Sequence, residues 1–130
     1  MNIESVATDP SIVAQSALAT WSHIDEALSP IIGIRGVAGL YKRSLSLTRG
    51  AHPALTTVFE GLLAPGDYST LQQALAQQSA PVAIAAGAAL LETFNDLLTK
   101  LIGLSLTERL LRPILDNPSS SGNAAQDIWS

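Results

Sequence analysis

Apolar residues along the chain recur at the three-to-four spacing of an amphipathic helix, and no stretch keeps the two-residue alternation of a half-buried strand. The pattern predicts an all-α, single-domain bundle of about six helices. The first spans residues 11–28, with Val13, Ala17, Thr20, Trp21, Ile24, Ala27 and Leu28 on one face. Ser29-Pro30 is expected to end it, because proline disfavours helix at the residue before it. The second helix runs on to residue 48, with Val37, Leu40, Tyr41, Ser44 and Leu47 inward and Gly36 and Gly39 admitting a close neighbour. A third covers 53–63, and Ala64-Pro65-Gly66-Asp67 makes a turn. A fourth covers 69–78, opened by a capping box of Ser69 and Gln72. The fifth covers 81–102, with a bulky stripe of Leu90, Phe94, Leu97 and Leu101 beside small Ala85, Ala86 and Ala89. The last covers 105–112, opened by Ser105 and Glu108, with Pro113 kinking its end. The organisation read from this is an N-terminal extension (1–9), the bundle (10–116) and a flexible tail (117–130).

The pattern echoes itself at a spacing of 70 residues: Leu28-Ser29-Pro30-Ile31-Ile32-Gly33-Ile34 lies over Leu98-Thr99-Lys100-Leu101-Ile102-Gly103-Leu104. Ala17 meets Gly87, Trp21 meets Leu91, Ile24 meets Phe94, Asp25 meets Asn95, Leu40 meets Leu110 and Lys42 meets Arg112. Each copy reads as a helix, an Ile-Gly break and a second helix. Two such pairs would pack face to face as pseudo-symmetric halves, with the third and fourth helices as the crossover.

Composition narrows the chemistry. Of 130 residues, 47% are hydrophobic and 14% charged, with no cysteine, two histidines and a net charge of −4. Without cysteine there is no disulfide framework, thiolate catalysis or Cys-ligated metal. An acidic balance argues against general nucleic-acid binding. The most apolar run, 81–91, reaches spanning length only by taking in Glu92, Asn95, Asp96 and Lys100, so no membrane role is expected. The first ten residues lack the basic start of a secretory signal, which leaves a cytoplasmic location as the expectation.

No glycine-rich phosphate loop, nucleophile elbow or metal-binding histidine pair occurs, so the expectation is a protein with no enzymatic activity, cofactor or metal. Asp25 and Glu26 are neighbours, diverge on a helix, and read as a solvated face. His52 reads as a loop or capping residue. His23 is the one candidate phosphoacceptor. A bundle with a helical histidine resembles, in architecture alone, histidine phosphotransfer and other bacterial signalling modules. Ile24-Asp25-Glu26 follows it where that family needs a basic residue and small ones, so the acceptor motif is missing.

The distinctive polar feature is cationic. Residues 31–59 hold Arg35, Lys42, Arg43 and Arg49 and no acid. Arg35, Lys42 and Arg49 are seven apart, so a continuous helix nearly superposes them, opposite Val37, Leu40 and Tyr41. With Trp129 in the tail, they are the candidate partner-binding residues. The expected function is a small regulatory or adaptor protein acting through protein contacts, in signalling, on a partner with an acidic surface. It would form a homodimer or other homo-oligomer and bind no nucleic acid. The alternatives are a sensor with an apolar cavity near Trp21 and Phe94, and phosphotransfer through His23.

Overall fold

A computed structural model of the protein describes residues 9–61 and 66–115. The described chain is an all-α bundle of six helices, with no strand among these residues. They are α1 (Pro10–Ile32), α2 (Ile34–Thr48), α3 (Ala54–Glu60), α4 (Ser69–Ala76), α5 (Ala80–Ile102) and α6 (Leu104–Leu115).

Local chemistry explains most of the boundaries. Asp9 caps α1 by accepting from the Ser11 N–H at 2.9 Å, and Pro10 opens the first turn, where no N–H is needed. Ser79 caps α5 through the Val82 N–H at 3.4 Å, with Pro81 in the first turn. α1 does not stop at Ser29-Pro30. It continues through Pro30 to Ile32 and ends at Gly33. Pro30 is exposed, so the carbonyl left without a partner one turn earlier can turn to water. α6 likewise runs through Pro113 to Leu115, past the expected end at residue 112.

Two expected capping boxes are not used. Before α4, the Asp67 carboxylate accepts from both the N–H and the hydroxyl of Ser69, at 3.0 and 2.6 Å. The hydroxyl, then the N–H, hold Asp67 below the usual carboxylate range. Ser105 falls inside α6, which starts one residue earlier than the box would place it.

The two breaks are geometrically alike. Gly33 has φ 85° and ψ 156°, and Gly103 has φ 95° and ψ 154°. This region of backbone space belongs almost wholly to glycine. Each glycine donates to a carbonyl four residues back, Gly33 to Ser29 and Gly103 to Thr99, both at 2.8 Å. Each accepts from the N–H four residues on, Val37 and Thr107, both at 3.1 Å. The helices before the breaks, α1 and α5, are both 23 residues long.

Packing follows the same exchange. α1 packs on α2 as α5 packs on α6, α1 meets α6 as α5 meets α2, and α1 meets α5. Buried pairs 70 residues apart include Ile24 with Phe94, Leu28 with Leu98, Val37 with Thr107, and Tyr41 with Leu111.

The centre of the core is aromatic. Trp21 lies 5.0 Å from Tyr41, 5.9 Å from Tyr68 and 4.9 Å from Phe94, between ring centroids. Tyr41 and Tyr68 meet edge to face at 4.9 Å. Such pairs add about 1 kcal/mol each beyond the area they bury. The crossover helices are part of this core: Leu55 and Val58 on α3 and Leu71 and Leu75 on α4 are fully buried.

The inward faces differ in detail from the expected ones. On α5 the buried stripe is Leu90, Phe94 and Leu98, while Leu101 is exposed. On α2 Leu45 and Thr48 turn inward and Leu47 outward. Buried Ser44, Thr48 and Thr107 satisfy their hydroxyls on carbonyls one turn back, at 2.7 Å in each case.

Candidate partner-binding face on the second helix

The cationic residues of 31–59 lie on and just beyond α2. Arg35, Lys42 and Arg43 are exposed and Arg49 is half-buried. At about 100° per residue, Arg35, Lys42 and Arg49 fall within roughly 40° of arc, as the seven-residue spacing requires. They do not stand opposite the core. They sit roughly 100° around from Val37, Tyr41 and Leu45, on the flank that faces α3.

Phe59 of α3 is what they meet. The Arg49 guanidinium lies 4.4 Å from its ring centroid and the Lys42 ammonium 5.9 Å. A cation over an aromatic face gains about 0.5–1 kcal/mol at an exposed site. The charge is not neutralised by this contact, because a ring carries no net charge. None of Arg35, Lys42, Arg43 and Arg49 makes an ion pair among the described residues. Among the described residues, ion pairs join His23 to Glu26 at 3.8 Å and Arg112 to Glu108 at 3.9 Å.

The fully outward side of α2 carries Gly39 and Arg43, with Leu47 on the flank away from Lys42. A Cβ on Gly39 would meet nothing within 4 Å, so no described helix uses the space it leaves. Gly36 serves the bend instead: a Cβ there would come within 3.2 Å of the Ile32 side chain. Leu47 is 55% exposed. The face thus joins positive charge and an open stretch of backbone.

The remaining candidates are scattered. His23 is exposed on α1, with the Glu26 carboxylate as its neighbour. His52 acts through its backbone, donating to Thr48 at 3.0 Å and accepting from Leu55 at 2.9 Å, which joins the end of α2 to the start of α3. Trp129 lies outside the described residues. Trp21 and Phe94, expected beside a cavity, are in edge contact at 4.9 Å.

Asp25 was expected in a solvated acidic face, and the structure corrects this. Asp25 is half-buried and accepts from the Ser29 hydroxyl at 2.6 Å and the Tyr68 hydroxyl at 3.2 Å. It ties the segment before α4 to α1. Burial, then the Asp25 carboxylate, push the Tyr68 hydroxyl well above its usual pKa. Beside this tether lies an open cleft of about 400 Å³, bordered by Ser22, Asp25, Glu26, Ser29, Ile34 and Tyr68. Among the described residues no three His, Asp or Glu side chains cluster as a metal site.

α5 is long and apolar enough to cross a membrane by length and composition, with a mean hydropathy of 1.3 in its most apolar window, of which 28% is buried inside the bundle. No protein-family model, curated protein or solved structure matches the chain. The functional reading therefore rests on the geometry of its own surface.

Two features of the face escape a reading of the sequence. Phe59 is ten residues beyond Arg49, and nothing in that interval signals that α3 folds against the α2 flank. The unused space at Gly39 is a tertiary fact, since the same glycine in a packed helix would have a neighbour. The Asp25–Ser29 bond had a legible signal, a carboxylate and a hydroxyl four apart on a helix.

Proposed function

We propose that the protein is a small regulatory or adaptor protein that binds another protein through α2, without catalysis of its own. The observation that carries this reading is the set of four cations on and just beyond α2 that find no carboxylate among the described residues. An acidic chain gains nothing internally from collecting positive charge there, and self-repulsion among four like charges costs stability. A partner with an acidic surface recovers that cost as steering and as ion pairs at the contact. Gly39, between the cationic line and Arg43 on the helix surface, lets a partner backbone approach.

The test is capture from native extract on the immobilised protein, beside the Arg35→Glu, Lys42→Glu, Arg49→Glu variant. The expected result is an acidic protein retained by the wild type, released by raised salt, and lost at least tenfold on the variant. An identical set of captured proteins on both would overturn the reading.

A further inference from the structure

The repeat extends to the surface, where packing does not require it. Within the core, recurrence at 70 residues follows from two units that each bury a stripe. Outside it, nothing in the chain compels the same positions to be apolar. Yet among the described residues six of the eight large apolar side chains that stand exposed form three pairs at that spacing. Ile12 and Val82 are 41% and 45% exposed, Ile31 and Leu101 are 46% and 59%, and Ile34 and Leu104 are 59% and 58%. The last two pairs bracket Gly33 and Gly103, so each break presents an apolar corner, with one large side chain on either side of the glycine.

We propose that these two corners are the contacts through which copies of this chain associate. Each corner carries both signs of charge at its edge. Exposed Glu26 and Arg35 stand before and after the first, whereas exposed Asp96 and Lys100 both precede the second. At the first corner, an apolar centre with an acid on one side and a base on the other is complementary to itself when two copies meet in opposite directions. The cationic face of α2 is not, because it would meet its own kind with repulsion. The second corner repeats the exposed apolar pair of the first in the same backbone geometry. The proposal shares only Arg35 with the acidic-partner reading, so its test leaves Arg35 in place.

Mass measurement by light scattering across concentration tests it, with the full chain from about 1 µM to about 1 mM. The wild type is expected to rise from the 13.6 kDa of one chain to at least twice that mass. Ile34→Asp with Leu104→Asp is expected to stay at one chain. Both positions open a helix, where a carboxylate suits the N-terminal dipole, so the fold is retained and circular dichroism checks it. Ile31→Gln with Leu101→Gln, on the other side of each glycine, is expected to weaken association at least tenfold. Leu47→Asp, an exposed apolar position away from both corners, and Lys42→Glu with Arg49→Glu, on the cationic face, are expected to associate as the wild type does. A wild type that remains one chain at about 1 mM overturns the proposal. So do corner variants that associate like the wild type.

Discussion

The two helix–glycine–helix units share a backbone and differ in what fills it. In the first unit Trp21 and Tyr41 occupy the positions that Leu91 and Leu111 hold in the second, and Ser44 stands where the second has Ile114. Trp21, Tyr41 and Leu111 are buried, and Leu91 is partly so. The cause of the difference is the crossover. Tyr68, just before α4, stacks over Trp21 and is held there by Asp25. Asn95 stands at the matching position in the second unit. Equivalent backbones thus follow from glycine and periodicity, whereas side-chain identity follows from whichever element packs across each unit.

The largest expected effect tests that asymmetry directly. Trp21→Ala removes the ring at the centre of three aromatic contacts and should cost about 3–5 kcal/mol. Leu91→Ala, at the equivalent but partly exposed site, should cost less than half of that. Urea denaturation at neutral pH measures both, and equal losses would break the comparison.

Next come the glycines, where the units should behave alike. Gly33→Ala and Gly103→Ala each force a side chain into a positive-φ conformation, at about 1–3 kcal/mol. No neighbour lies within 4 Å of an added Cβ at either site, so the cost is conformational and should match within about 0.5 kcal/mol. A clear mismatch would show that the two bends are held differently.

The smallest effects separate two tyrosines that touch. The Tyr68 hydroxyl is bonded to Asp25, while the Tyr41 hydroxyl is buried and has no partner among the described residues. Tyr68→Phe should lose about 1 kcal/mol, and Tyr41→Phe should be neutral or stabilising. Burial, followed by the neighbouring Tyr68 and Asp67, pushes the Tyr41 hydroxyl far above its usual pKa. Its folded pKa exceeds its unfolded one, so the unfolded chain releases its proton first. The stability linked to that proton is full below the ordinary tyrosine value of about 10 and declines as pH rises above it. Thermal melts from pH 7 to about pH 11 should therefore fall less steeply for Tyr41→Phe than for the wild type.

The particular residues show where sequence reasoning reached and where it stopped. The glycine breaks were legible because a Gly after two β-branched or leucyl residues recurs at one spacing, and a helix cannot easily pass a residue held at positive φ. The end of α1 at Pro30 was misread, because local preference cannot weigh the hydrogen bonds that a continuing helix regains on either side. A stripe read from periodicity alone is wider than the surface that neighbours cover, so it takes in Leu47 and Leu101, which are exposed. The cationic residues were legible as a line, but its direction was not, since which flank of α2 they occupy depends on where α3 lands.

By itself, then, the sequence determined the helical class, the six elements, the repeat and the concentration of positive charge on one helix. These depend on periodicity, caps and glycine, which act over a few residues. Only the tertiary structure decided that Asp25 grips Tyr68, that Arg49 lies on Phe59, that Gly39 faces open space and that both bends expose apolar corners. Those facts depend on contacts between residues distant in the chain, and on surfaces that no element comes to cover.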